Sequence, residues 1–276
     1  MGMYNRYERL IFVVAFVLGL FASCSRHPYH NTNKIYKKQA KDLSRQIKTL
    51  PSVDSIYPGA WPVGAVNFNL RKPNYVIIHH TAQNSCQQTL KTFTTMASQV
   101  SAHYVICKDG TIHHMLNDYL RAWHGGVARW GSITDINSSS IGIEIDNNGF
   151  EVFTEQQLLS LLYLLDKLKK SYNIPAANFI GHSDIAPVRK VDPNVNFPWK
   201  RLSENGFGIW YDVNAETSLP PNFNNLHALR LIGYDIRDTS AAIMAFKRRF
   251  LSVDKDSLLT VDDQKVLWQL AQKSLN

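Results

Sequence analysis

One segment in the second half of the chain, GHSDIAPVRKVDP at residues 181–193, concentrates side chains that could bind a metal and act on a substrate. His182 precedes Asp192 by ten residues, and Lys190 lies between them. Histidine and aspartate are common zinc ligands, and a site with three protein ligands leaves a coordination position for water. Because proline and glycine disfavour both helix and regular strand, we expect a stiff loop that directs several polar groups towards one point.

A second group of potential ligands, VIIHHTA at residues 76–82, lies about a hundred residues upstream. His79 and His80 would point to opposite faces of a strand, so only one of them could face a metal. The two segments together predict a zinc hydrolase, provided that the fold brings them into contact.

Three short apolar segments, residues 75–80, 103–107 and 140–146, are predicted as strands. In the last of them, alternation places three isoleucines on one face and Gly142 and Glu144 on the other. We therefore expect Glu144 to lie in the middle of a strand, and Gly142 beside it to leave room for substrate.

The clearest helix is predicted over residues 154–170. Thr154 and Gln157 form a capping box, and leucines recur at helical spacing along one face. Such alternation of strands and helices predicts an α/β fold for this part of the chain.

The first residues resemble an export signal. Arg6 and Arg9 precede an apolar run at residues 10–21, which two small residues separate from Cys24. The run is shorter than the roughly 20 residues that a spanning helix needs. We predict a lipoprotein signal peptide over residues 1–23, with Cys24 diacylated as the new N-terminus and the protein held on a membrane by its acyl chains. An ordinary secretory signal is the alternative.

The remaining chain divides into three predicted parts. Residues 24–55 are polar and lysine-rich, with a weak helical pattern, and are interpreted as a tether. Residues 56–212 would form the catalytic domain. Three short helical patterns within residues 222–276 predict a small helical domain, which is marginal by itself and should therefore dock on the catalytic domain.

The formal net charge is +8, which suits an anionic polymer such as a cell wall. The chain contains no basic run long enough to indicate nucleic acid binding. Cys86 and Cys107 would meet an oxidising compartment, where they could pair or remain buried thiols. Their spacing does not decide between the two.

Five motifs in order make the sequence resemble the zinc-dependent N-acetylmuramoyl-L-alanine amidases related to peptidoglycan-recognition proteins. They are VIIHHTA (76–82), SAHYVI (101–106), AWHGG (122–126), SIGIEI (140–145) and GHSDIAPVRKVDP (181–193). The resemblance covers nearly the whole mature chain and includes outer-membrane lipoproteins of that family. One departure is Asn194, where the family usually has glycine; asparagine tolerates a left-handed backbone.

The resemblance implies a fold, a reaction and a localisation. The fold would be α/β, with a mixed central sheet flanked by helices and a small C-terminal three-helix domain that binds peptidoglycan. The reaction would be hydrolysis of the amide between the lactyl group of N-acetylmuramic acid and L-alanine of the stem peptide. The protein would be lipid-anchored in the cell envelope, on the outer membrane facing the periplasm.

The resemblance also implies roles for single residues. His79, His182 and Asp192 would bind zinc. Glu144 would be the general base, and Lys190 would face the oxyanion.

Other polar side chains are assigned more loosely. His124, next to Trp123, would line the substrate groove together with it, or else be structural. Asp184 is predicted to cap its own loop rather than bind the metal.

Two other classes of function remain open from the sequence. A non-catalytic peptidoglycan-recognition module would keep the groove but usually lose a zinc ligand or the base. A zinc peptidase that cuts within the stem peptide could use the same ligands.

Overall fold

The computed structural model describes residues 28–48 and 65–275. Signal peptide and lipidation predictions, including Cys24, therefore lie outside the described residues. The chain divides into two compact units, Met1–Phe68 and Asn69–Asn276. The described part of the first unit contains helix α1 (His30–Lys48), which buries none of its side chains and agrees with the predicted helical pattern.

The second unit is built on one five-stranded sheet in the order β3-β2-β4-β1-β5. Neighbouring strands are parallel except β2 and β3, so the sheet is mixed, as predicted. The strands are β1 (Tyr75–His80), β2 (Tyr104–Ile106), β3 (Ile112–His114), β4 (Ser140–Ile145) and β5 (Phe179–Gly181).

Seven α-helices accompany the sheet in the described part of this unit. They are α2 (Cys86–Phe93), α3 (Glu155–Tyr172), α4 (His182–Ile185), α5 (Trp199–Glu204), α6 (Asn225–Ile232), α7 (Thr239–Phe250) and α8 (Val261–Lys273). None of the helices in the described parts of the chain is both long enough and apolar enough to cross a membrane.

Local capping signals set several helix boundaries. Thr154 and Gln157 form the predicted capping box of α3, and Thr260 caps α8. At the N-terminus of helix α7 the side chain of Asp238 accepts a hydrogen bond from the N–H of Ala241. A side-chain acceptor of this kind satisfies a backbone N–H that the helix itself leaves free.

Two hydrophobic clusters cover the two faces of the sheet. On one face, Ile141, Ile143 and Ile145 pack against the leucines of α3. On the other face, Ile77 and Ile180 pack in a cluster with apolar side chains of α6, α7 and α8. The C-terminal helices therefore dock on the sheet, as expected from their small size. Their role as a separate peptidoglycan-binding domain stays a prediction.

The predicted strand at residues 103–107 is shorter in the structure, because the chain turns at its end. Cys107 donates from its backbone N–H to the carbonyl of Thr111 (2.9 Å), and Gly110 within this turn has a φ of +85°. Cys107 forms a disulfide with Cys86 at the start of α2. The sequence left open whether these cysteines form a disulfide or remain buried thiols, and in the structure they form a disulfide.

Candidate metal centre

The metal centre begins at the carboxyl end of β1. In the parallel register His79 lies opposite Glu144 of β4, so both side chains project from the same face of the sheet. His80 projects from the opposite face, where its Nδ1 accepts a hydrogen bond from the backbone N–H of Asn194 (3.1 Å). Asn194 is not among the residues with a positive φ, so asparagine at this position needs no left-handed backbone. His80 thus has a structural partner away from the centre.

The chain after β5 supplies the other two potential ligands. His182 opens helix α4, and Asp192 returns to it because the N–H of Ser183 donates to the carbonyl of Asp192 (2.7 Å). Nδ1 of His79 is 2.9 Å from Nδ1 of His182, and each of these nitrogens is 3.0 Å from Oδ2 of Asp192. These are the three residues named from the sequence, and all are buried.

The protonation of the three groups fits a cation between them. Nε2 of His182 lies 3.2 Å from the carbonyl oxygen of Gly125, which can only accept, so neutral His182 has its lone pair on Nδ1. Burial lowers the pKa of His79 to about 4. Burial alone would raise the pKa of Asp192, but His182 and His79 hold it well below its ordinary value. Two imidazole nitrogens and one carboxylate oxygen within 3.0 Å of one another form a set of N and O donors of the kind that binds zinc.

Glu144 lies beside this group without belonging to it. Its Oε1 is 4.0 Å from Nδ1 of His79, and its Oε2 is buried without a hydrogen-bond partner among the described residues. Burial, and secondarily the charge of Asp192, raises the pKa of Glu144 well above its ordinary value, whereas Lys190 acts in the opposite direction. A carboxyl group with a raised pKa in such a position is suited to accept and release a proton.

The remaining predicted site residues differ in their exposure. Lys190 is half-buried on the loop between α4 and Asp192. Trp123 is 53% exposed, whereas His124 is 8% exposed and lies with Nδ1 3.2 Å from Nε2 of His79. Their predicted roles in substrate binding stay predictions.

The space above Gly142 is occupied. A Cβ atom on Gly142 would lie 2.5 Å from Cγ of His124, so the missing side chain makes room for the imidazole ring. The expectation that this space admits substrate is therefore wrong. Glycine at this position is required for the close approach of His124 to the strand.

Arg189 supports the metal centre through a contact that the sequence did not reveal. Its Nη2 donates to the carbonyl oxygens of Gly125 (2.9 Å) and Val127 (2.7 Å). Since the Gly125 carbonyl also accepts from His182, Arg189 fixes the partner that orients this ligand. A solvated arginine beside a lysine carries no sequence signal for such a contact.

Asp184 caps its own turn, as predicted, and also connects it to the C-terminal helices. Its Oδ2 accepts from the N–H of Gly181 (2.7 Å) and from Arg249 of α7 (2.6 Å), and its Oδ1 accepts from Tyr234 (2.8 Å). Asp184 is 0% exposed and Arg249 is 3% exposed. The turn that presents His182 thus depends on a buried ion pair with a distant helix.

We expect Arg249→Met to lower the free energy of unfolding by about 3–5 kcal/mol, because it leaves the Asp184 carboxylate buried without its cation. Urea denaturation measures this change. Arg237→Met, which breaks the exposed pair with Asp235, is the matched control and should have a small effect. Equal midpoints for the two variants would contradict the importance of the buried pair.

A second group of potential ligands consists of Cys86, Cys107 and His113. Because the two cysteines form a disulfide, their sulfur atoms are not thiolate donors. His79, His182 and Asp192 are therefore the better candidate metal centre in the described part of the chain.

Comparison with known proteins identifies the family. The family of N-acetylmuramoyl-L-alanine amidases (Amidase_2) matches residues 69–195. The chain is 31% identical to N-acetylmuramoyl-L-alanine amidase AmiD of Escherichia coli over 206 residues, which is 63% of this chain and 74% of that protein. It is 39% identical to 1,6-anhydro-N-acetylmuramyl-L-alanine amidase AmpD of Haemophilus influenzae over 104 residues, 37% of this chain and 56% of that protein.

Solved structures similar to this chain include complexes with anhydromuramyl peptides. Escherichia coli AmiD in complex with the substrate anhydro-N-acetylmuramic acid-L-Ala-D-γ-Glu-L-Lys has a TM-score of 0.66 and 27% identity, covering 76% of this chain and 93% of that one. AmpDh3 of Pseudomonas aeruginosa with anhydromuramic pentapeptide has a TM-score of 0.67 and 29% identity, covering 76% and 96%. The fold and site define a hydrolase of the amidase class. The chain belongs to the N-acetylmuramoyl-L-alanine amidase family.

Proposed function

We propose that the protein hydrolyses the amide between the lactyl group of N-acetylmuramic acid and L-alanine of the stem peptide, with zinc held by His79, His182 and Asp192. The observation that carries this proposal is the convergence of these three buried donor atoms beside Glu144. Bound there, zinc would act as a Lewis acid on the scissile carbonyl and lower the pKa of water. A non-catalytic recognition module would have no use for a complete set of ligands and a base.

Two side chains would handle the proton and the charge. Glu144 accepts a proton from the attacking water and delivers it to the nitrogen of L-alanine as the amide bond breaks. The Lys190 ammonium stabilises the negative oxygen that forms on the former carbonyl. The position of Lys190 on a half-buried loop, where its charge acts on Glu144, supports this assignment.

The substrate is proposed from the relatives and from the surface near the site. AmiD and AmpDh3 were solved with anhydromuramyl peptides. Near the motif loops Trp123 and Val127 are exposed, and such apolar surface suits the faces of a sugar and a short peptide. We therefore propose that muropeptides and peptidoglycan are bound here.

A paired assay separates the amidase from a peptidase that cuts within the stem peptide. Zinc-loaded protein is incubated with an anhydromuramyl tripeptide and, separately, with the same peptide lacking the sugar. We expect cleavage of the first substrate only, because only that substrate contains the lactyl amide. Cleavage of the free peptide would contradict the proposed reaction.

We further propose a lipid anchor at Cys24 and a location on the outer membrane facing the periplasm. The support is the sequence of residues 1–24, in which a charged segment, an apolar run and small residues precede the cysteine. The acyl chains would hold the enzyme close to its polymeric substrate.

We expect Cys24→Ala to move the protein from the membrane fraction to the soluble fraction and to abolish incorporation of labelled fatty acid. The measurement is fractionation of cells grown with the label, with the wild-type protein as control. Equal labelling of variant and wild type would exclude Cys24 as the acylated residue.

A further inference from the structure

We propose that His124 and Ser140 are positioning residues for the metal ligand His79. A directed chain of hydrogen bonds through them keeps the proton of His79 on Nε2 and leaves its Nδ1 free for the metal. This inference rests on the proposed metal centre and adds to it two residues that do not themselves touch the metal.

The direction of these hydrogen bonds is set at Ser140, the residue farthest from the metal centre. Oγ of Ser140 lies 2.6 Å from the carbonyl oxygen of Ile136, which can only accept, so the hydroxyl hydrogen of Ser140 is donated there. Ser140 has no second hydrogen. Towards Nε2 of His124, which lies 3.3 Å from the same Oγ, it can therefore only accept.

The proton position on His124 in turn fixes the proton position on the ligand His79. A neutral imidazole has one N–H, and His124 uses it on Nε2 for Ser140, so its Nδ1 is an acceptor. Nε2 of His79 lies 3.2 Å from this Nδ1 and must donate to it. The lone pair of His79 is then on Nδ1, the atom that faces His182 and Asp192. The second ring nitrogen of a metal-binding histidine commonly has such a partner, which fixes the tautomer.

The surroundings hold the ring of His124 in one place. His124 and Ser140 are both buried, and the ring lies where any side chain at position 142 would be. The backbone N–H groups of His124 and Gly125 donate to Oδ1 of Asn137 (3.2 and 2.8 Å). The ring therefore has a fixed position between the strand and the ligand.

Nearby His103 does not compete as a partner, because both of its nitrogens are used. Its Nε2 donates to the carbonyl of Leu120 (3.0 Å), and its Nδ1 accepts from the N–H of Gly142 (3.0 Å). Three residues on one face of β4 therefore serve the metal centre. Ser140 sets the direction of the hydrogen bonds, Gly142 leaves space for the ring of His124, and Glu144 lies beside His79.

The zinc affinity of the variant Ser140→Ala tests the proposed series of hydrogen bonds from Ser140 through His124 to His79. Without the hydroxyl, Nε2 of His124 has no other hydrogen-bond partner among the described residues, and a proton on Nδ1 of His124 would reverse the bond to His79. We expect the zinc dissociation constant, measured by competition with a chelator, to rise about 10- to 100-fold. Ser139→Ala is the matched control: its Oγ lies 3.2 Å from the same Ile136 carbonyl, but it does not bond to His124. An affinity of Ser140→Ala equal to that of the control would overturn the inference.

Ring-nitrogen NMR of the metal-free protein gives a readout that needs neither zinc nor activity. Two-bond ¹H–¹⁵N correlations show which nitrogen of each histidine carries the proton. We expect protonated Nε2 on His79 and on His124 in the wild type and in Ser139→Ala, and loss of this pattern in Ser140→Ala. A proton on Nδ1 of His79 in the folded wild type would overturn the inference.

The outcomes separate this inference from the proposed function. Zinc binding that depends on Ser140, in a protein that does not cleave muropeptides, would contradict the proposed reaction and leave the chain of hydrogen bonds in place. A wild-type protein that binds no zinc would overturn the metal centre and the inference together.

Discussion

Glu144→Gln is expected to lower kcat at least about 100-fold while the protein remains folded and binds zinc. Glutamine has the same shape as glutamate but cannot accept the proton of the attacking water. Zinc binding should persist because Glu144 lies outside the group of three converging donors, with its nearest oxygen 4.0 Å from Nδ1 of His79. The measurement is the steady-state rate on a soluble muropeptide, combined with the zinc content of the purified variant.

The control for the loss of a negative charge is Glu151→Gln, which removes an exposed carboxylate paired with Lys108 (2.8 Å). This variant should retain the wild-type rate. An undiminished rate in Glu144→Gln would remove Glu144 from the role of base. Loss of zinc from the same variant would instead show that Glu144 contributes to metal binding.

Metal removal is expected to have the other large effect. Protein stripped by a chelator should be inactive and should regain its rate when zinc is added, because activation of water depends on the ion. His182→Ala should bind zinc weakly and remain inactive after the addition, since it removes one of the three donors. The measurements are the bound zinc per chain and the rate before and after reconstitution.

His80→Asn is the matched control among the histidines. Asparagine offers an oxygen near the position of Nδ1, which accepts from the N–H of Asn194, and His80 lies on the opposite face of β1. This variant should bind one zinc ion per chain and retain activity. Activity of the metal-free wild type, or zinc binding by His182→Ala at wild-type affinity, would contradict the proposed centre.

The local elements of the fold could be predicted because their signals are local. The apolar run at residues 75–80 gave both ends of β1, and the Thr154–Gln157 capping box gave the start of α3. The bounds of a shorter element were predicted less well: the strand predicted at residues 103–107 spans only Tyr104–Ile106, and at its C-terminal end the backbone of Cys107 bonds within the following turn.

In the candidate site, the potential metal ligands could be predicted from the sequence, whereas the contacts that hold them in place could not. Motifs and family resemblance named the three groups that converge, including the choice of His79 over His80, which alternation alone left open. The supporting contacts were missed. These contacts are the bonds of His182 and Arg189 to the Gly125 carbonyl and the ion pair of Arg249 with Asp184. Each joins residues 57 to 65 positions apart. They involve common residue types, whose partners are set only by the tertiary fold.

In the proposed reaction, water attacks the lactyl carbonyl of muramic acid and frees L-alanine as an amine. The decisive measurement is mass spectrometry of both products after the zinc-loaded protein has hydrolysed an anhydromuramyl peptide in ¹⁸O-labelled water. We expect one ¹⁸O atom in the carboxyl group of the released sugar acid and none in the intact stem peptide. Label in a peptide carboxyl group, with the sugar still joined to L-alanine, would contradict it.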